Sequence, residues 1–511
     1  MIDEKSTHRA AAIFLDRDGT LIEDVGTLAN ADDLRLFPDT IPALLKLQEK
    51  YTLFVITNQA AVAKGELTAT QVAEVNQGLD ALLAKAGVVI REWYVCPHQR
   101  KDGCSCIKPN PEFVLRAEQK YNLDLNRSFV IGDHPHDVYT ADEQGVFGLY
   151  LLTGHGGKHL SELAQDKLVF HRISDAAEWI SAHADHKNNI AQRIDQGARA
   201  IQNGGVAAFP TETVYGLGAD VFQPDAVAQI FKIKGRPEWN PLIAHIADTT
   251  QMDLLAESVP DNARRLMDAF WPGPLTLVLP KRDAVPEIVT GGLPTVAIRM
   301  PAQPIALEFI RRCGTPVAAP SANRFSCTSP TTAQHVITQL GAQCPIVIDG
   351  GACRVGVEST VISFAAEAPV MLRPGGIFIE EIEKKIGDVE TLAAPVEKSD
   401  SPASPGMLRN HYAPATKLSA YDKIPAEYAN RSDVGVLLFS PSEKSYSGPV
   451  ETLSGSGDPK EAAVNFFAAL QRLDLRNLSE IVAEYAPDQG LGRAINNRLS
   501  KAANGRIDHH E

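Results

Sequence analysis

Between residues 11 and 153, short apolar runs alternate with helix-period segments, and this alternation constrains the chain more than any other feature. Ala11 to Leu15 is apolar and stops at Asp16; Leu53 to Ile56 stops at Thr57-Asn58; Val88 to Val95 runs into Cys96; Phe129 to Ile131 runs into Gly132-Asp133; Gly148 to Leu152 is a fifth such run. Helical patterns lie between them: one opened by Pro38-Asp39 and carried by Leu44, Leu45 and Leu47, one from Thr68 to Ala86, and one from Pro111 to Tyr121. Strands alternating with helices predict a doubly wound, Rossmann-like parallel sheet with right-handed crossovers. In such a sheet the residues just past the strand C-termini line the site, and these are Asp16, Thr57, Cys96 and Asp133.

The chain is 511 residues long, enough for roughly three or four domains of ~150 residues. With 44% hydrophobic and 22% charged residues it has a globular composition, not that of a disordered or collagenous chain. No stretch reaches the ~18 continuous apolar residues of a membrane span. Charges of both signs in Met1 to Ala10 and the halt at Asp16 are unlike a secretory signal. A net charge of −14 argues against coating nucleic acid non-specifically. Seven cysteines without a secretory signal point to a reducing, cytoplasmic setting.

Ala182 to Asn189 reads as a linker, and Glu390 to Pro405 as a Pro-, Ser- and Ala-rich tether. Between them the chain is strand-rich; beyond them Val434 to Phe439 and Pro459 to Leu473 give the strand and helix of a small third α/β domain. The expected division is 1–185, 186–388, a linker or lid at 389–415, and 416–511.

Asp16-Arg17-Asp18-Gly19-Thr20 places two carboxylates at i and i+2 where Gly19 permits a turn. Such a pair suits covalent phosphoryl transfer, one aspartate attacking phosphorus while the other protonates the leaving oxygen. Downstream, Thr57-Asn58, Lys108 and Gly132-Asp133, with Asp137 beyond, supply hydroxyl, amide and ammonium donors for phosphoryl oxygens and, through Asp133, a Mg²⁺ ligand. Cys96-x-His98 and Cys104-x-Cys106 offer three thiolates and an imidazole, the set for a closed, structural tetrahedral zinc. Cys313, Cys327, Cys344 and Cys353 are scattered and read as small buried residues.

Residues 10 to 155 resemble the haloacid-dehalogenase (HAD) phosphatases, in the branch of D-glycero-D-manno-heptose 1,7-bisphosphate and histidinol-phosphate phosphatases. Thr57-Asn58-Gln59 continuing to Ala63-Lys64-Gly65 and Cys96-Pro97-His98 followed by Cys104-Ser105-Cys106 carry the likeness. The resemblance implies Asp16 as nucleophile, Asp18 as acid/base, Thr57, Asn58 and Lys108 as phosphate donors, and Asp16, Asp18 and Asp133 as Mg²⁺ ligands. It also puts the zinc loop at Cys96, His98, Cys104 and Cys106. Two positions depart from the heptose enzymes: Ile107 and His134 stand where Arg and Lys are usual, each removing a cation that a second phosphate would use.

A second chemistry begins at Gly204 to Gly218, a strand running into Pro210-Thr211-Glu212-Thr213 and a Gly-punctuated segment. Lys234-Gly235-Arg236-Pro237 follows, with Asn240-Pro241-Leu242; two cations flanking a glycine could hold a triphosphate. Trp271-Pro272-Gly273-Pro274, Thr295 to Arg299, Pro320-Ser321-Ala322-Asn323, Gly356 to Thr360 and Arg373-Pro374-Gly375 come next, and no Walker loop occurs.

From about residue 190 to the end, this set resembles the threonylcarbamoyl-AMP synthases, a twisted α/β (YrdC-like) fold, in their long form. Lys234/Arg236, Ser321/Asn323, Ser404 to Met407, His411-Tyr412-Ala413-Pro414 and Gly490 to Arg498 carry the likeness. What the resemblance implies is ATP-dependent adenylylation of a threonine carbamate formed with bicarbonate, releasing pyrophosphate and serving a downstream tRNA-modifying transferase complex. It further implies threonine binding by Thr213, His245, Arg299 and Ser359. ATP would lie among Lys234, Arg236, Asn240, Thr295, Ala319, Ser321, Asn323, Ser329, Arg373 and Tyr412, Tyr412 making the tether a lid. Other readings of the residues are a double-stranded-RNA-binding protein with a vestigial phosphatase, or a carbamoyl-transfer enzyme of the hydrogenase-maturation type. The latter's acylphosphatase module and finger-like zinc repeats are not visible in the sequence. No membrane partner is expected.

Overall fold

A computed structural model of the chain describes residues 9–140, 142–164, 167–182, 186–344, 346–391 and 412–503. They form two compact units, Met1–Asn189 and Ile190–Glu511. Among the described residues no helix is long and apolar enough to cross a membrane.

The first unit is built on six parallel strands: β1 (Ala12–Leu15), β2 (Thr52–Asn58), β3 (Ile90–Cys96), β4 (Phe129–Gly132), β5 (Phe147–Leu151) and β6 (Leu168–Phe170). Their order is β3-β2-β1-β4-β5-β6, with every pairing parallel. The apolar runs make buried strands because both faces are covered by helices. One covering helix, Ala69–Lys85, opens on a capping box between Thr68 and Gln71 and buries Val72, Val75, Leu79 and Leu83. The order reverses between β1 and β4, so Asp16 and Asp133 leave neighbouring strands side by side. β6 and the helix Ile173–Ala182 extend the unit past the last run visible in the sequence.

The second unit holds a mixed nine-stranded sheet: β7 (Ala207–Phe209), β8 (Gly216–Asp220), β9 (Ile243–His245), β10 (Leu275–Pro280), β11 (Thr295–Arg299), β12 (Val317–Ala318), β13 (Thr360–Ser363), β14 (Val370–Arg373) and β15 (Glu390–Thr391). The order is β15-β14-β13-β10-β11-β9-β12-β8-β7. Alternation along β7 sends Ala208 into one core cluster and Ala207 and Phe209 into the cluster on the opposite face. A second sheet of the same unit is all parallel: β16 (Leu418–Tyr421), β17 (Val434–Leu438), β18 (Val450–Thr452) and β19 (Glu480–Glu484), ordered β16-β19-β17-β18. Its helices Pro459–Asp474 and Leu491–Ala503 share an apolar cluster with Val214, Val357 and Tyr412, so the C-terminal sheet packs directly on loops of the larger one.

Two expectations change. A helix, His186–Gln202, starts inside the stretch expected as linker. Its polar opening turn hides the pattern; Ile190, Ile194, Ala198 and Ile201 then recur at helical spacing and join the cluster of Phe309 and Ile348. The expected tether begins as strand, since Glu390 and Thr391 pair with Val370 and Met371. Ser404 to Met407 and His411 lie outside the described residues.

Candidate active sites

In the first unit, Asp16, Lys108, Asp133 and Asp137 converge at the strand ends and all are buried. The ligand oxygens of Asp16, Asp133 and Asp137 lie within 4.8 Å of one another. Lys108 Nζ bridges Asp16 Oδ1 and Asp137 Oδ1, the latter at 2.6 Å, and donates to the Ile56 carbonyl at 3.0 Å. Backbone N–H groups complete the frame: His155 donates to Asp133 Oδ2 at 2.7 Å and His134 to Asp137 Oδ2 at 2.9 Å. Gly19 is required here. Its φ is +78°, and a Cβ would collide with the Asp133 carboxylate.

Burial pushes the Asp16 carboxyl up to about 7; Lys108 opposes this, while Asp137 and Asp18 add to it. Asp133 is raised well above the ordinary carboxylate value by burial, then by Asp16 and Asp137. Burial alone would lower Lys108, but Asp137 and Asp16 outweigh it and hold the ammonium above its usual value. The burial and mutual repulsion that raise Asp16 and Asp133 are what a bound cation would relieve. An all-oxygen donor set of three clustered carboxylates fits a hard divalent cation.

The Asp18 carboxylate stands apart from that trio. It accepts from Gln59 Nε2 at 2.8 Å, from Thr57 Oγ1 at 3.4 Å and from Arg17 Nε at 3.1 Å; Arg17, itself buried, is anchored on Asn76 Oδ1 at 2.7 Å. Asn58 Oδ1 accepts from the Lys108 N–H at 3.2 Å. Of the expected metal set Asp16, Asp18 and Asp133, the carboxylates of Asp16 and Asp133 lie together with that of Asp137, while the Asp18 carboxylate is engaged by Gln59, Thr57 and Arg17.

Directly beyond β3, the side chains of Cys96, His98, Cys104 and Cys106 face one another. Cys106 Sγ is 3.2 Å from Cys96 Sγ, 3.6 Å from Cys104 Sγ and 3.3 Å from His98 Nδ1; Cys96 Sγ is 3.7 Å from Cys104 Sγ. A tetrahedron with bonds of about 2.3 Å has edges of about 3.8 Å, so the four atoms fit a single zinc ion with no position left open.

The second unit's pocket lies at the C-terminal ends of β9 and β11, whose parallel register sets Arg299 beside His245. Arg299 Nη1 donates to Thr213 Oγ1 at 2.8 Å, and its Nη2 is 2.7 Å from Glu212 Oε1. Arg373 lines the same pocket and donates to the Ser359 carbonyl and to Ser359 Oγ, each at 3.0 Å. Burial and Arg299 hold His245 down at about 3, so its imidazole is neutral; it hydrogen-bonds the Ile243 carbonyl at 3.1 Å through Nδ1.

Gly235 closes the helix Pro224–Lys234 in the left-handed region, φ +62°, and the reversal sends Lys234 and Arg236 to different tasks. Lys234 lies behind the pocket, donating to the Ser321 carbonyl at 2.6 Å, to the Asn323 carbonyl and to Asn323 Oδ1 at 3.2 Å. Arg236 lines the pocket and donates to the Pro241 carbonyl at 2.9 Å; burial first, with Arg373 nearby, lowers it to about 9.

Of the sequence-predicted threonine set, Thr213, His245, Arg299 and Ser359 all line this pocket; of the ATP set, Arg236, Ala319, Ser321, Arg373 and Tyr412 do. Lys234, Asn240, Asn323 and Ser329 are buried around it, and the Asn240 side-chain amide has no partner among the described residues. Thr295 is not brought to the pocket. It begins β11, four residues and about 13 Å of strand before Arg299. Sequence reasoning missed Thr211 and Glu358, which line the pocket, and Glu212, which pairs with Arg299; no signal in the sequence marks the two acids as buried.

Buried arginines converging at strand ends of a mixed sheet in one unit, and clustered carboxylates at strand ends of a parallel sheet in the other, define an enzyme with two anion-handling sites. Residues 199–375 match the family described as "Telomere recombination" (Sua5/YciO/YrdC) and residues 377–504 the threonylcarbamoyl-AMP synthase C-terminal domain; residues 105–176 match the HAD-hydrolase-like family. Threonylcarbamoyl-AMP synthase of Pyrococcus abyssi is 44% identical over 333 residues, 62% of this chain and 98% of that protein. The Bacillus subtilis enzyme of the same name is 44% identical over 339 residues, 64% of this chain and 98% of its own length. The crystal structure of P. abyssi Sua5 complexed with L-threonine aligns with a TM-score of 0.56 at 42% identity, covering 61% of this chain and 94% of that one. The chain belongs to the threonylcarbamoyl-AMP synthase family and carries a HAD-hydrolase-like unit ahead of it.

Proposed function

We propose that the second unit converts L-threonine, bicarbonate and ATP to L-threonylcarbamoyl-AMP and pyrophosphate, and that the first hydrolyses a phosphomonoester. The observation that supports the synthase reading is one pocket lined by three arginines, Arg299 bonded to Thr213, Arg373 bonded to Ser359, and Arg236, with Tyr412 lining it as well. Arg299 would take the threonine carboxylate, with Thr213, His245 and Ser359 around the amino acid. Arg236, Arg373, Ser321, Ala319 and Tyr412 would face ATP, with Lys234, Asn240, Asn323 and Ser329 supporting them from behind. Bicarbonate dehydrates to CO₂, the neutral threonine amine adds to it and gives up a proton to water to form a carbamate; a carbamate oxygen then attacks the α-phosphorus, and the α–β bridging oxygen leaves with pyrophosphate. No covalent enzyme intermediate is required, so positioning and charge neutralisation do the catalysis. The product is a mixed anhydride suited to acyl transfer onto tRNA by a separate transferase in the cytoplasm.

In the first unit, Asp16 would attack phosphorus and form an aspartyl-phosphate, with Asp18 donating a proton to the leaving oxygen and then deprotonating the attacking water. Thr57, Asn58 and Lys108 would bind the phosphoryl oxygens. A Mg²⁺ held by Asp16, Asp133 and Asp137 would neutralise charge on the phosphoryl group when bound. Zinc on Cys96, His98, Cys104 and Cys106 would brace the loop that carries Lys108. A sugar phosphate, heptose 1,7-bisphosphate included, is the substrate class to screen first.

The test is pyrophosphate release by the full chain with threonine and bicarbonate supplied or withheld, run beside phosphate release from a panel of sugar phosphates, with Asp16→Asn and Arg236→Ala as controls. Pyrophosphate release indifferent to threonine would remove the synthase reading. Phosphatase activity surviving Asp16→Asn would remove the other.

A further inference from the structure

We infer that Arg498, carried by the C-terminal helix Leu491–Ala503, is a positioning residue for the synthase reaction. It neutralises Glu358 and holds it against Ser329, so that the pocket wall stays attractive to a triphosphate. The inference rests on the synthase reading above and adds a role for the C-terminal sheet in it.

Arg498 is fully buried although it belongs to the smaller sheet's layer. Its Nε is 3.0 Å from Glu358 Oε2 and its Nη1 donates to the Pro374 carbonyl at 2.5 Å, while its guanidinium carbon sits 5.4 Å from the centre of the Tyr412 ring. The other Glu358 oxygen accepts from Ser329 Oγ at 2.5 Å, and Gln471, on the neighbouring helix Pro459–Asp474, donates to the Ser329 carbonyl at 3.1 Å. Glu358 itself lines the pocket together with Arg373 and Tyr412.

A buried carboxylate on the wall of a pocket meant for ATP is a liability unless it is paired. Unpaired, it would repel phosphate in a low-dielectric space and would itself be costly to bury. Burial alone would raise the Glu358 carboxyl, but Arg498 and then Arg373 outweigh it and keep it below its usual range, so the group is charged and the pairing matters. Arg373 is already committed to Ser359. Lys501, one turn beyond Arg498, is a poor substitute, since burial, with Arg498 and Arg373 adjacent, lowers its ammonium to about 7. Arg498 is therefore the cation that reaches Glu358 without being drawn on by the nucleotide. Its fork also spans from Glu358 to Pro374, in the loop directly after Arg373, which fixes the start of that loop.

The experiment uses the full chain and compares wild type, Arg498→Met, Arg498→Lys and the double variant Arg498→Met/Glu358→Gln. Readouts are the ATP dissociation constant by calorimetry, and the KM for ATP and for threonine in pyrophosphate release. Arg498→Met is expected to weaken ATP at least tenfold in both measures and to leave the threonine KM within twofold. The double variant is expected to return ATP affinity to within about threefold of wild type, because removing the stranded charge removes the repulsion. Arg498→Lys, which keeps the charge and loses the fork, is expected to fall between and serves as the test if Arg498→Met does not fold. Equal loss of ATP and threonine, or a double variant as weak as the single, would mean that Arg498 is only a packing element and would overturn the inference. Wild-type pyrophosphate release that ignores threonine would instead sink the synthase reading, leaving the calorimetric comparison to decide the role of Arg498.

Discussion

Arg299 and Thr213, 86 residues apart in sequence, meet through a 2.8 Å hydrogen bond from Nη1 to Oγ1 inside a pocket where both are buried. Glu212 Oε1 lies 2.7 Å from the other arm of the same guanidinium and forms an ion pair with it. Replacing Arg299 by Lys keeps a charge but loses the planar donor pair. A hydrogen bond to a charged group is worth about 1.5–3 kcal/mol, so Arg299→Lys is expected to raise the threonine KM by roughly 10–150-fold. The ATP KM should change much less. Steady-state kinetics with each substrate varied in turn checks the split.

Asp18 is oriented by Arg17, Gln59 and Thr57 and does not share the oxygen cluster of Asp16, Asp133 and Asp137. A group so placed serves proton transfer better than metal binding. Asp18→Asn should therefore slow hydrolysis of an alkyl phosphate by about 10²–10⁴-fold, while p-nitrophenyl phosphate, whose leaving group needs no proton, should lose far less. Mg²⁺ affinity, measured by the activating concentration, should move little in Asp18→Asn and strongly in Asp137→Asn. Equal losses on both substrates would contradict this assignment.

What could be read from the chain was whatever is local. Asp16, Thr57, Cys96 and Asp133 were legible because buried parallel strands appear as apolar runs, and the first polar residue after each run marks the strand's end. The helix read from Thr68 to Ala86 was legible because its apolar residues recur at helical spacing. What stayed hidden was long-range pairing. Asp137 was noticed as a neighbour of Asp133, but that its carboxylate shares Lys108 with Asp16 depends on three separate strands. Glu212 and Glu358 look like ordinary acids in sequence, and only their burial beside Arg299 and Arg498 shows otherwise. β12 is two residues long and holds its place through antiparallel bonds to β8 and β9, too short for any periodicity to announce.

The thiol and imidazole cluster makes a prediction about stability as well as composition. If zinc closes the Cys96–Cys106 loop, one zinc should co-purify per chain and a chelator should destabilise the first unit, taking phosphatase activity with it. Cys104→Ser should lower the first unit's thermal midpoint and weaken zinc retention. Pyrophosphate release should persist in the same samples, because the synthase pocket belongs to the other compact unit. Metal analysis alongside the two assays checks it; a chain that purifies without zinc at undiminished thermal stability would refute the structural role.

His245 supplies a pH dependence whose sign can be worked out. It is 4% exposed, and burial first, then Arg299, lowers it from the usual 6.5 to about 3. Unfolded, the imidazole takes a proton below about 6.5; folded, it stays neutral until near 3. Across that window the unfolded chain binds more protons, so the stability contributed by neutral His245 is present above pH 6.5 and is lost as pH falls toward 3, by up to about 1.4 kcal/mol per pH unit. Other carboxylates and histidines titrate in the same range, so the quantity to measure is a difference. Denaturant unfolding of the second unit's transition, in the wild type and in His245→Gln, should give stability curves that run parallel above pH 7 and converge as pH falls from 6.5 to 4. The convergence arises because Gln cannot take the proton that the unfolded wild type gains. Curves that stay parallel down to pH 4 would mean that the imidazole is protonated in the folded pocket, and His245 would then face threonine as a cation.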